Sequence, residues 1–410
     1  MKKNFFLVFA VILLPLVVFS QSFEDFKKEQ QGAVKKEADA FNTYKKNLEA
    51  EFNNYVKELN QAYVDYQKEL DEYWKNPKLS TKKDWVNYTK DKKTRTTVAF
   101  DTNTIVLETI AASPQEAQNR LKKALATVVL DDTKSAVKHD ILQQRIAKIE
   151  KKNAKVTVTK PIKAEPILAP IVFKKPPTKK KIIQYVNKKV VAKKIAVKPS
   201  KIHNAKIYSV KVKLPSNTML KRSKTFESDV RKNAKRFDIP VALVFAIMHT
   251  ESSFNPFAKS HIPAYGLMQI VPRSAGIDSY QLLHKEKKMP SASYLYNSSN
   301  NIEMGSAYLH ILYYRYLRKI KNPTSRLYCT IAGYNTGAGN VAYAFNGNNN
   351  VTKASKKINV MKPQEVYDHL IKHLKYDEAR HYLERVSRRI NSYKHVYKSN
   401  DLVYFKPKVS

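Results

Sequence analysis

Glu251 is the residue whose type and place most directly invite chemistry. It closes the stretch PVALVFAIM (240–248) within MHTESSFNP (248–256), and no other acid lies between Asp238 and Asp278. Val241 to Met248 are apolar on every side of a helical projection, which predicts a buried helix. A carboxyl at the C-terminal end of such a helix meets the negative pole of the helix dipole and a dry wall. Both disfavour the anion and raise the pKa. An acid kept protonated near neutral pH suits proton donation to a leaving group. On these residues alone, a surface glutamate in a last helical turn is the competing reading. His249 and His261 flank the acid, but there is no HExxH spacing, and His249 lies on another face of the helix. No metal site and no cofactor are therefore expected. Cys329 is the only cysteine, which excludes an intramolecular disulfide and a cysteine-based metal cluster. Within LYCTIA (327–332) it is expected to be packing.

The elements that must hold this acid can be traced along the chain. Its 410 residues have room for two or three modest domains, and 75 Lys+Arg stand against 35 Asp+Glu. Such an excess suggests a polyanionic neighbour: nucleic acid, an anionic membrane face or an acidic wall polymer. Lys2, Lys3, the apolar run 5–19 and Ser20-Gln21 read as a cleavable secretory signal over 1–20, with an uncleaved anchor as the alternative. No cysteine follows the run, so no lipid attachment is expected there. A chain exported to the periplasm meets wall material rather than nucleic acid, and it keeps no transmembrane segment once the signal is removed.

Residues 21–76 read as one long amphipathic helix. Its stripe, Phe41, Tyr44, Leu48, Phe52, Tyr55, Leu59, Tyr63, Tyr66, Leu70 and Tyr73, steps at helical spacing. Such a stripe calls for a partner: another helix, a second copy of the chain or an envelope protein. Residues 77–215 read as a small α+β domain. DWVNYTKDKKTRTTVAFDTNTIVLETIA (84–111) predicts a three-stranded meander. Ser113-Pro114-Gln115-Glu116 opens a helix with an N-cap serine and Pro at N1, and one further polar helix is expected over 133–153. From Lys160 to Lys224 there are 19 basic residues and one acid, Glu165. The first half, rich in proline, reads as an extended tether, while KIIQYV and AKIYSVKVKL read as strands that fold back on the meander. From 216 to 410 the pattern is helical, a compact all-α domain. The fold class is thus α+β overall, with an all-α C-terminal domain.

Several blocks in order carry a resemblance. Glu251, Ser260, Gly266-Leu267-Met268-Gln269, Asn301 with Gly305 and Tyr308, Tyr334-Asn335 with Gly337 and Gly339, and EARHYLERV (378–386) match the pattern of the lysozyme-like lytic transglycosylase domain. NPTSR (322–326), AGID (275–278) and the meander also resemble the membrane-bound lytic murein transglycosylase C family and its N-terminal domain. The chain departs from that family in lacking the lipid-attachment cysteine and in having Gly333 where Ala is usual.

The resemblance implies a lysozyme-like catalytic fold and peptidoglycan glycan strands as substrate. It implies cleavage of the bond between N-acetylmuramic acid and N-acetylglucosamine without water, leaving a 1,6-anhydro end. One glutamate, Glu251, would act first as acid and then as base, with the substrate's own N-acetyl group steadying the cation. Tyr334 would hydrogen-bond Glu251, and Ser260 would polarise the acid or a sugar substituent. Gly266, Met268 and Gln269 would line the saccharide groove. Asn335 would order its loop or touch sugar, and Tyr382 would be groove wall or core. A lysozyme-type hydrolase acting on the same bond and a non-catalytic wall-binding scaffold are the readings that compete with it.

Overall fold

The computed structural model describes residues 50–153, 157–191, 194–260 and 263–398. The expected signal segment, the stripe residues Phe41, Tyr44 and Leu48, and His261 lie outside the described residues. The chain divides into the units Met1–Val56 and Lys57–Ser410. Of the first, residues 50–56 are described and are helical.

Within the second unit the helix α1 covers 57–71 and stops short of the expected end at 76. From Lys57 onward its aromatic stripe finds its partner in the same chain. Tyr66 meets Tyr88 edge-on at 6.3 Å, and the Arg145 guanidinium lies 5.6 Å from the Tyr66 ring. Glu69 bridges Lys92 at 2.8 Å and Arg145 at 2.7 Å. Over this part the stripe is covered by the α+β region that follows it, so its partner here comes from the same chain. Trp74, just beyond the helix, donates to the Lys92 carbonyl at 2.8 Å and carries Arg95 over its ring.

The meander forms as expected, β1 (Asp84–Tyr88), β2 (Thr94–Ala99) and β3 (Thr104–Ala111), all antiparallel. Cross-strand partners lock it: Arg95 pairs with Glu108 at 2.6 Å, and the Thr94 and Thr109 hydroxyls meet at 2.8 Å. The helix α2 (Pro114–Leu130) follows and packs on this sheet. Ser113 Oγ accepts from Glu116 N at 3.2 Å, and Glu116 Oε2 accepts from Ala112 N at 3.1 Å. Ser113→Ala is expected to cost about 1 kcal/mol of stability, measurable as a shifted urea midpoint at unchanged m-value.

The segment 133–153 forms two helices where one was expected, α3 (Thr133–His139) and α4 (Ile141–Lys152). Asp140 closes the first and caps the second, its Oδ1 accepting from Gln143 N at 3.1 Å. After the two-residue strand β4 (Thr157–Val158) and the short α5 (Ala169–Val172) comes α6 (Lys179–Val186), continuing as a π-turn over Asn187–Val191. This overturns the expectation of a strand at KIIQYV. Thr178 caps it by accepting from Lys181 N. Val186 and Val190, four residues apart, are both buried in a stretch packed on α2. That helical spacing outweighs the β-propensity of the isoleucines. The strands β5 (Ala196–Pro199) and β6 (Lys206–Lys213) complete a sheet of order β1-β2-β3-β6-β5, so AKIYSVKVKL does return to the meander.

The remainder is helical, with π-turns at Pro272–Gly276 and Leu312–Tyr316. It comprises α7 (Thr218–Thr225), α8 (Glu227–Phe237), α9 (Val241–Ser252), α10 (Ile277–His284), the two-residue β7 (Met289–Pro290), α11 (Ala292–Leu295) and α12 (Ser298–Ile311). The helices α13 (Pro323–Thr336), α14 (Ala338–Asn346), α15 (Val351–Ile358), α16 (Pro363–His373) and α17 (Asp377–Tyr397) follow. Every residue of α9 except His249 is buried. It lies against α8 and α17, with Phe245 stacked on Tyr397 at 4.1 Å. Among the junctions between this helical part and the preceding region are a strand pairing and a buried carboxylate. β4 pairs in parallel with β7, and Glu150 of α4 accepts from the Ala292 and Ser293 N–H groups that open α11.

Candidate active site

Glu251 sits in the last turn of α9, 6% exposed. Burial pushes its carboxyl pKa up. The Lys82 ammonium, the Tyr382 hydroxyl and the Lys83 ammonium pull it partly back, and Glu378 adds to the rise. The acid is therefore biased toward its protonated form, as its place in the sequence predicted. Asp278 and Glu303, two downstream acids that a fold could have brought beside Glu251, are engaged elsewhere: Asp278 accepts from Tyr316 at 2.8 Å, and Glu303 pairs with Arg236.

Two tyrosines from different helices close on the acid. Tyr382 of α17 is 2% exposed; it is core rather than groove wall. Its phenol is held well above the usual range by burial and then by Glu251. The hydroxyl stands near enough to draw the carboxyl pKa down, although among the described residues it meets no partner at full hydrogen-bonding geometry. Tyr334 of α13 also has its phenol raised by burial and by Glu251. Its hydroxyl, however, donates to the Met268 carbonyl at 2.9 Å and not to Glu251, correcting the expected hydrogen bond. The loop path sets this, because it brings the Met268 carbonyl within reach of Tyr334.

That loop is shaped by Gly266 and Asn301. Gly266 has φ +76°, and an added Cβ would lie 2.3 Å from Asn301 Nδ2 and 2.4 Å from the Leu295 carbonyl. Asn301, fully buried on α12, accepts from Met268 N at 2.7 Å and donates to the Tyr265 and Leu295 carbonyls, each at 2.8 Å. Met268 is 0% exposed. Its sulfur fills the space left by the missing Cβ of Gly305, so its side chain is core and not groove lining. Gln269, at φ 51° and 7% exposed, donates from Nε2 to the Gly266 carbonyl at 3.1 Å. Its Oε1 has no partner among the described residues. Ser260 is half-buried beside this loop, its N–H donating to the Ala264 carbonyl at 3.2 Å. Asn335 is half-buried at the end of α13, directly before the Gly337 turn.

His249 points away from the acid, as the two-residue step requires. Its Nδ1 meets the Tyr393 hydroxyl at 3.0 Å, and its pKa falls to about 3, through burial first and then the nearby Arg389, Lys83 and Arg222 charges. Among the described residues, no group of three His, Cys, Asp or Glu is placed to hold a metal ion, and no helix is long and apolar enough to cross a membrane. A cavity of about 720 Å³ lies at the opposite end of α9, lined by Lys235, Pro240, Tyr313 and Leu327; it is remote from Glu251.

Sequence reasoning missed three charged neighbours of the acid and one tie. Lys82 pairs with Glu378 at 3.3 Å. Lys83 donates to the His249 and Thr250 carbonyls at 3.2 and 2.7 Å. Ser252 Oγ lies 2.7 Å from the Leu267 carbonyl and so ties the acid helix to the loop. None has a local signature, because each acts on a distant part of the chain.

Residues 228–357 match the family model described as the transglycosylase SLT domain. Residues 52–225 match that of the N-terminal domain of membrane-bound lytic murein transglycosylase C. The chain is 35% identical over 316 residues to membrane-bound lytic murein transglycosylase C of Serratia proteamaculans, spanning 76% of this chain and 82% of the relative. The chain belongs to the membrane-bound lytic murein transglycosylase C family. The homologue from Klebsiella pneumoniae is 34% identical over 77% of this chain and 83% of its own. Among solved structures, the 70 kDa soluble lytic transglycosylase of Escherichia coli is 21% identical over 43% of this chain and 25% of that one, with a TM-score of 0.33. As a member of the membrane-bound lytic murein transglycosylase C family, this chain is an enzyme of the lytic murein transglycosylase class.

Proposed function

We propose that the protein cleaves the β-1,4 bond between N-acetylmuramic acid and N-acetylglucosamine in peptidoglycan strands without water, with Glu251 as its one acid and base. The observation that carries this reading is the state of Glu251: buried at the end of α9, with its pKa pushed up. In the first step the Glu251 proton passes to the glycosidic oxygen as the bond to muramyl C1 breaks. The muramyl acetamido group supports the positive charge at C1. The carboxylate then takes the proton of the C6 hydroxyl while that oxygen bonds to C1. Glu251 returns protonated, and no water is consumed.

The supporting roles follow from the contacts. Tyr334, whose phenol feels the Glu251 charge, braces the loop beside the acid by donating to the Met268 carbonyl. Tyr382 walls the carboxyl from water. Gln269 Oε1, without a partner among the described residues, is assigned to a substrate N–H or hydroxyl. Ser260 stands beside the cleaved bond, and Asn335 orders the loop. We assign the chemistry to 216–410, the α+β region to 77–215, and a cleaved export signal to 1–20, which places the enzyme in the periplasm.

Mass spectrometry of fragments released from purified sacculi tests the reaction. Anhydro ends, lighter by one water than reducing ends, are expected; reducing ends would instead make it a hydrolase. Because the donor must be protonated, kcat/KM is expected to fall as pH rises through the elevated pKa of Glu251. A pH–rate profile with no such alkaline limb would contradict the role.

A further inference from the structure

We propose that Lys83, carried on the segment leading into β1, is a positioning residue for this reaction: its ammonium fixes the last turn of α9 and thereby the Glu251 carboxyl. The proposal rests on the reading of Glu251 given above.

The last carbonyls of a helix lack intrahelical partners, and the negative end of the dipole attracts a cation. In α9 the His249 carbonyl accepts from Ser253 N at 3.1 Å. The Thr250 carbonyl, one residue before the acid, takes Lys83 Nζ at 2.7 Å, and the same ammonium reaches the His249 carbonyl at 3.2 Å. Lys83 is not a loose surface arm. Its own carbonyl accepts from Phe100 N at 2.8 Å, and its N–H donates to Thr81 Oγ1 at 3.2 Å. Close by, Trp85 packs on Phe257 with ring centroids 5.2 Å apart, and Asn255 Nδ2 donates to the Lys82 carbonyl at 3.4 Å. The sheet thus holds the ammonium, and the ammonium holds the turn bearing the acid.

The charge acts as well as the hydrogen bonds. The groups facing Glu251 are Lys82 and Lys83 ahead of β1, Tyr334 on α13, and Tyr382 and Glu378 on α17. Arg389 of α17 donates to Thr250 Oγ1 at 2.7 Å. Lys83 favours the Glu251 anion, so it eases the base half of the cycle. Burial lowers the Lys83 pKa to about 7.

The test compares Lys83→Met, Lys83→Arg and Glu251→Gln in the full chain, assayed on purified sacculi with kcat and KM separated. Lys83→Met is expected to lower kcat by roughly 10- to 100-fold, the loss of charge-assisted hydrogen bonds, with KM changed much less. Its alkaline limb should move to higher pH, because a charge that lowers the Glu251 pKa has gone. Lys83→Arg keeps the charge at all working pH values. It should recover most of kcat and leave the limb at or below its wild-type position. If Lys83→Met does not fold, Lys83→Gln makes the same comparison, retaining a donor without charge. A folded variant lacking the charge with wild-type kcat and pH profile overturns the proposal while an inactive Glu251→Gln leaves the catalytic assignment standing. An active Glu251→Gln overturns both.

Discussion

Glu251→Gln is expected to lower lytic turnover by roughly 100- to 10,000-fold and to make the protein more heat-stable at neutral pH. The first effect follows from losing the one carboxyl proton donor among the described residues of α9. The second follows from linkage. The folded-state pKa of Glu251 is raised above its ordinary value of 4.5. Below that ordinary value, folded and unfolded chains both hold the proton, and the acid carries no penalty. As pH rises above it, the unfolded chain releases the proton while the folded chain retains it, so wild-type stability falls until the raised pKa is passed. Gln never ionises, so its advantage grows across that window and then levels. Turnover on purified sacculi and melting temperatures measured across the window check both halves. Equal turnover, or a melting difference that does not depend on pH, would contradict the assignment.

Gly266→Ala carries the largest expected structural effect. A Cβ at this position needs space already taken by Asn301 Nδ2 and the Leu295 carbonyl, at 2.3 and 2.4 Å, on a backbone of φ +76°. Neither neighbour is free to yield, since Asn301 is buried with both ends of its amide engaged. Steric overlap and strain together are expected to cost roughly 3–5 kcal/mol, read from denaturant unfolding. Activity should fall further than stability explains at temperatures where the variant stays folded, because the loop also presents the Met268 carbonyl that holds Tyr334. A variant with wild-type unfolding midpoint would refute this account of the loop.

The sequence was most legible where periodicity and end signals agreed. The meander alternates and is broken by turns. Ser113 and Glu116 announce the start of α2, and the apolar run before Glu251 can only be buried. KIIQYV misled because isoleucine and valine favour strands locally, whereas the four-residue step from Val186 to Val190 that decided for helix lies partly beyond that string. At the site, Tyr334 and Tyr382 come close to Glu251, and Ser252 ties the acid helix to the loop of Gly266, Met268 and Gln269, but not all as imagined. Met268 turned inward because Gly305 leaves a hole that only a long, flexible side chain fills. Tyr334 found a backbone carbonyl instead of the acid, an outcome set by the path of a loop that no spacing encodes. Lys82 and Lys83 were invisible because their partners lie far along the chain.

The capping of α11 by Glu150 and the pairing of β4 with β7 also constrain how such genes recombine. A crossover near residue 216 would pass on every residue assigned to bond cleavage. It would nevertheless leave behind the carboxylate that receives the Ala292 and Ser293 N–H groups and the strand that lies along Met289–Pro290. The ammonium on the Thr250 carbonyl would be lost with them. A chimera joined at that point is therefore expected to keep its stability when both parents carry matching halves of this seam.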